Sequence, residues 1–186
     1  MIDKTINYNK YFLRLIKDFD ETTLLNPDLN GIKKPKLNKN ELKIKKSDIE
    51  EFCKENSIDE NILFLASTAL ALNKFNFSDK SLIFHENNII FTVSSENRKM
   101  LIKDYLMQIQ SDYLENSKYF QFSADEVIDE YNLQTEFYYA FDKELDFNSF
   151  EYKYNFYLSI QKADEEFMTY FISDKDLART KVTIKS

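Results

Sequence analysis

The chain has 186 residues, 43% of them hydrophobic and 31% charged, which is the range of an ordinary globular protein long enough to bury a core without staples. A single Gly excludes the glycine-lined loops that cradle nucleotide phosphates, and a net charge of −7 disfavours nucleic acid and anionic membrane as main partners. One Cys and one His exclude an internal disulfide, a zinc site and any mechanism needing two histidines; the lone thiol suits a reducing compartment, so a cytoplasmic protein is expected.

In chain order, KTINYNKYFLRLIKDFDE sets Tyr8, Tyr11, Phe12, Leu15, Ile16 and Phe19 on one helical stripe. A surface connection over 21–40 follows, with Pro27, Gly31, Pro35 and many Asn residues. The lysine-rich run KKPKLNKNELKIKK at 33–46 reads as a solvated stretch rather than a phosphate contact. ELKIKK at 41–46 alternates, with Leu42 and Ile44 on one side, and predicts a short strand.

Three helix starts share a capping-box pattern: Ser47 with Glu50, Ser57 with Glu60, and Ser123 with Glu126. The first predicts a short helix through Ile49, Phe52 and Cys53. The second opens SIDENILFLASTALALNKF, whose Ile62, Leu63, Leu65, Ala66, Ala69, Leu70 and Leu72 spread round most of the cylinder and predict a central helix. Its Ala66, Ala69 and Ala71 leave room for a neighbouring element to approach closely. This apolar stretch is broken by Ser67 and Thr68 and is too short to span a bilayer, and MIDKTINYNK has no apolar signal core.

SLIFHENNIIFTVS at 81–94 predicts two strands about a turn at Glu86-Asn87-Asn88. Residues 96–115 repeat apolar positions at Leu101, Tyr105, Ile109 and Tyr113, with Ile102, Leu106 and Leu114 beside them, as a long amphipathic helix does. A shorter helix runs from the third cap through Val127, Ile128 and Tyr131. Strands are predicted at 133–141, 150–160 and 165–172, the middle one alternating through Tyr152, Tyr154, Phe156, Leu158 and Ile160, with a hairpin at Ala163-Asp164. The 16% of aromatic residues, all Phe and Tyr, favours extensive sheet.

Candidate chemistry is sparse. His85, the only imidazole, has no nucleophile at motif spacing and is expected to be a partly exposed residue at a strand end. Cys53 reads as a buried structural thiol. The acidic pairs Asp18/Asp20/Glu21, Glu50/Glu51, Asp125/Glu126, Asp129/Glu130 and Glu165/Glu166 read as caps and solvated faces rather than the paired carboxylates of a glycosidase. The aromatic strands read as packing rather than as a stacking platform for sugars or bases. No catalytic, cofactor-binding or metal-ligating residue is assigned, and no cofactor is expected.

KYFLRLIKDFDETTLLNPDLNG at 10–31 resembles the segment that joins the two halves of nonribosomal peptide synthetase condensation domains. Tyr11-Phe12-Leu13 takes the aromatic place of that segment, and Leu25-Asn26-Pro27-Asp28 the later leucine, proline and acidic residue. LKIKKSDIEEFCKENSIDENILFLASTALALNKF at 42–75 is similar to the strand, short helix and long alanine-containing helix that follow there. The likeness continues through 96–115, YFQFSADEVIDEYN, and the strands at 133–141 and 150–160.

The resemblance implies an α+β fold of chloramphenicol acetyltransferase type, a mixed, largely antiparallel sheet packed with helices, with residues 1–186 forming one domain. It implies the C-terminal half of a two-lobed enzyme, walling one side of a tunnel in which carrier-tethered substrates form an amide. The family's His-His-x-x-x-Asp-Gly belongs to the N-terminal half and occurs nowhere here, so no catalytic residue carries over and the chain is not expected to be catalytic alone. The family also has a glycine-arginine segment and a floor loop after the strand matching 81–85, where this chain passes through HENNIIF into the next strand. Implied partners are an N-terminal condensation half, a carrier protein and an adenylation domain. A two-fold pair of copies is a further expectation, since half of a two-lobed fold carries an apolar face to cover. The other reading is a non-catalytic interaction module that keeps the lobe fold.

Overall fold

The computed structural model describes Tyr11 and residues 36–76, 80–85, 89–94, 100–119, 137–143 and 156–173. Its elements are β1 (Lys36–Lys45), α1 (Lys46–Asn56), α2 (Glu60–Asn76), β2 (Lys80–His85), β3 (Ile89–Ser94), α3 (Ile102–Asn116) with a 3-10 turn (Ser117–Tyr119), β4 (Phe137–Phe141), β5 (Phe156–Lys162) and β6 (Glu166–Ser173). Apart from Tyr11, the helix predicted before residue 21 lies outside the described residues, as does the one predicted after Ser123.

The strands form one six-stranded mixed sheet in the order β1-β6-β5-β4-β2-β3. β4 runs parallel to both β2 and β5, while β2–β3, β5–β6 and β1–β6 are antiparallel. The expected α+β class with a largely antiparallel sheet is therefore the one observed. β1 starts at Lys36, five residues before the alternation suggested, because Lys36 to Glu41 pair with β6 from Ser173 to Met168. Residues 36–40 of the predicted connection are thus part of the sheet.

α1, α2 and α3 build one core against this sheet, with Ile62, Leu65, Ala66, Ala69 and Leu72 of α2 meeting Ile83, Tyr139, Leu158 and Phe167. Aromatic contacts carry much of it: Phe64 meets Phe167 edge-on at 4.7 Å, and Phe137 stacks on Phe156 at 4.9 Å. α2 is less uniformly buried than its sequence suggested, since Ser67, Leu70 and Lys74 are exposed and Leu63 is half-buried. Of its alanines, Ala66 and Ala69 are buried and Ala71 half-buried, and Ser81 of β2 reaches the Ala69 carbonyl at 3.4 Å and also bonds the Asn73 side chain.

β5 departs from simple alternation. Phe156, Leu158 and Ile160 join the core, but Tyr157 and Ser159 on its other face are also buried. An interior strand with a parallel neighbour is usually covered on both faces, which periodicity along one strand does not reveal.

Two of the three predicted capping boxes do not form. α1 has no side-chain cap: Ser47 bonds Asp48 at 3.3 Å, and the Lys46 amide donates instead to the Glu165 carbonyl in the β5–β6 hairpin at 3.0 Å. Ser57 ends α1 rather than starting α2. It sits in the left-handed region at φ 55°, its amide donating to Lys54 O and the Ile58 amide to Cys53 O. That is the Schellman pattern, with buried Ile58 set beside buried Cys53. α2 is capped by Asp59, whose Oδ1 accepts from the Asn61 amide at 2.8 Å. Gln110 of α3 supplies the other half of the box: its Oε1 accepts from the Asp59 amide at 2.9 Å and its Nε2 donates to the Ser57 carbonyl at 3.1 Å. Ser123 lies outside the described residues.

Candidate functional site

The carboxyl ends of β2, β4 and β5 collect the few groups with acid–base or charge character. Crevices at such strand ends are the usual ligand sites of parallel sheets. His85 ends β2 opposite Tyr139 of β4. Its ring lies edge-on to Tyr113 at 5.5 Å and tilted to Tyr139 at 5.6 Å. His85 is 1% exposed, which corrects the expectation of a partly exposed residue: β2 lies inside the sheet, and Tyr113 of α3 closes over its end. Burial pushes the imidazole pKa down to about 4, with the nearby Lys143 charge adding to the effect. His85 is therefore neutral near pH 7 and walled by aromatic rings.

Further along, past the ends of β4 and β5, lies a charged cluster that sequence spacing did not suggest. Lys162 at the end of β5 forms an ion pair with Glu60 at the start of α2, 2.9 Å apart. The Lys162 ammonium also stands 5.5 Å from the centre of the Phe141 ring. The hydrogen bond to Glu60 raises the lysine pKa against the opposing effect of burial, and the Glu60, Asp142 and Asp59 charges add to the rise. Asp142, left-handed at φ 52°, turns the chain out of β4: its amide donates to the Ile160 carbonyl at 2.7 Å, and its Oδ1 accepts from the Lys162 amide at 3.3 Å. The Lys143 carbonyl then accepts from Ser159 Oγ at 2.8 Å and Gln161 Nε2 at 3.0 Å. Glu60 and Lys162 stand 102 residues apart in the chain, so only the topology brings them together. Chemically this end of the sheet is a fastened joint, with Glu60 paired to Lys162 and the Asp142 carboxylate tied to backbone.

The other candidates are scattered. Cys53 is buried in α1, and burial, helped by the Glu60 and Asp59 charges, pushes its thiol up to about 11. Glu50 and Glu51 are exposed on α1, and Glu165 and Glu166 are exposed at the β5–β6 hairpin. The remaining acidic pairs lie outside the described residues. Among the described residues no three His, Cys, Asp or Glu side chains are grouped to hold a metal ion. Nor is any helix among them long and apolar enough to cross a membrane.

No protein-family model and no curated protein matches this sequence. Solved structures do match it. The chain superposes on the PapA2 acyl transferase with a TM-score of 0.67 at 13% identity, covering 94% of this chain and 48% of that one. With the condensation domain of the Monacolin K polyketide synthase MokA the TM-score is 0.59 at 11% identity, over 87% and 49% of the two chains. With the EpoB NRPS cyclization-docking bidomain from Sorangium cellulosum it is 0.64 at 10% identity, over 95% and 45%. The chain has the fold of one half of a condensation domain. The condensation-type lobe expected from the sequence is thus the fold observed, and it spans about half the length of each of these structures. The lobe's sheet positions His85 and the Glu60–Lys162 pair, two features that the resemblance did not anticipate.

Proposed function

We propose that this chain serves as one lobe of a condensation-type acyltransferase, forming a wall of the tunnel in which an acyl group passes to an amine, and that it depends on a complementary half for the reactive base. The observation that carries this reading is the coverage: 87–95% of the chain is accounted for by only 45–49% of three condensation or acyl-transfer structures. The state of the lone histidine supports it. A general base must reach the proton it removes with a pKa near the working pH, and His85 is enclosed and held near 4. In amide formation the acceptor nitrogen attacks the thioester carbonyl, the base takes the nitrogen's proton, and the carrier thiol leaves. The lobe's part is shape and exclusion of water, supplied by a sheet whose central strands are buried.

The test is reconstitution. The chain is mixed with donor and acceptor carrier proteins, loaded with an acyl group and an amino acid, in the presence and absence of an N-terminal condensation half bearing His-His-x-x-x-Asp-Gly. Amide product is expected only when both halves are present. Product from this chain alone overturns the dependence on a second half. Failure of every such half to bind the chain or yield product favours a lobe retained purely for protein interaction.

A further inference from the structure

Along α3 and the 3-10 turn that continues it, Asp104, Met107, Ser111, Leu114 and Lys118 follow one another at steps of 3, 4, 3 and 4. That spacing sets them in one row down the helix. All five are exposed, Met107 by 52% and Leu114 by 59%. The opposite side of the helix carries Leu106 and Ile109 in the core, with Tyr105 and Tyr113 packed against it. α3 therefore has two seams, one committed to its own lobe and one facing outward.

The outward seam is complementary to itself when reversed. Ser111 lies at its centre, seven residues from Asp104 and seven from Lys118. We infer that this row packs antiparallel against the same row of a second copy, about a two-fold axis at Ser111. In that arrangement Asp104 faces Lys118 of the partner subunit, and Met107 lies beside Leu114 of the partner subunit. The small Ser111 lets the two helices approach at the axis, and their dipoles oppose favourably. Charge selects the occupant. The chain carries −7 overall, so copies repel over most of their surface, whereas this row holds one acid and one base placed to pair across a two-fold. One helix row is a small interface, so the pairing is weak and depends on concentration. The inference stands apart from the acyltransferase reading, since it uses only the outer face of α3.

Sedimentation velocity of the full chain over a wide concentration range tests it, with mass expected to rise from the 22.3 kDa of one chain toward twice that. Met107→Lys is expected to raise the dissociation constant by about tenfold or more. Asp104→Lys and Lys118→Glu, each alone, place like charges opposite each other and weaken the dimer by about fivefold. The double variant carrying both is expected to recover, and an equimolar mixture of the two single variants to pair with each other. All three substitutions lie at exposed positions, and circular dichroism of each variant checks that the fold is kept. A monomer mass at every concentration overturns the inference, as does a dimer indifferent to these substitutions. So does a lone chain that stays monomeric while Met107→Lys weakens binding of an N-terminal condensation half, which would assign the seam to that half.

Discussion

His85 and Cys53 share an environment effect with opposite consequences for their protonation. The folded lobe holds the His85 imidazole near 4, below its ordinary 6.5, so the unfolded chain takes up a proton as pH falls through 6.5 while the folded chain does not. Stability from this group is full above 6.5 and is lost as pH drops toward 4, by about 2–3 kcal/mol at pH 4.5. His85→Phe, which keeps a ring between Tyr113 and Tyr139, is expected to remove that component; urea midpoints of both proteins at pH 7 and 4.5 measure it, and an equal loss in the two disproves the assignment. For Cys53, a thiol raised to about 11 is almost wholly protonated at pH 8. Its reaction with a disulfide reagent is expected to be slower by about a hundredfold or more in the native chain than in urea. Equal rates would place the thiol at the surface. The buried thiol was legible from its helix alone, whereas the burial of His85 was not: it follows from β4 lying beside β2, with Tyr139 set opposite His85 from 54 residues onward in the chain.

At the scale of elements, the caps show where local reading fails. Ser47 and Ser57 both carry the capping-box spacing, yet the Lys46 amide at the start of α1 is taken by Glu165 of the β5–β6 hairpin, and Ser57 is needed to end the helix before it. The pattern located the helices but gave their caps to the wrong residues: at α1 the winning partner, Glu165, is distant in sequence, and at α2 the neighbouring Asp59 takes the cap while the distant Gln110 holds its amide. Asp59→Ala is accordingly expected to cost about 1 kcal/mol, and Ser47→Ala close to nothing. Ser57→Gly relieves a left-handed serine and is expected to stabilise by up to about 1 kcal/mol. Thermal or urea unfolding of the three variants checks the ranking. A cost at Ser47 matching that at Asp59 would restore the original assignment.

For the molecule as a whole, the class of fold was legible because alternating and helical stretches follow one another in a known order. The identity of sheet neighbours was not, since nothing in β1 points to β6 as its partner. β6 pairs with both β1 and β5, so it couples the start of the described sheet to its centre. A chain ending before Glu166 is expected to lose cooperative unfolding and its near-ultraviolet circular dichroism, although its local helices persist in part. A truncated chain that still melts in a single sharp transition would show that the rest of the lobe holds together without this strand.

The same pairing has a consequence during synthesis. β1 leaves the ribosome early, but the strand it joins is made 121 residues later, counting from Lys45 to Glu166. Through that interval it exists as an unmatched ribbon in a growing polypeptide, the situation in which nascent chains aggregate. Lys36, Lys39, Lys43 and Lys45 are spaced along it, and repulsion between such cations is expected to oppose pairing of two such ribbons. The lysine-rich run is thus expected to lower association of unfinished chains, in addition to its place in the folded sheet.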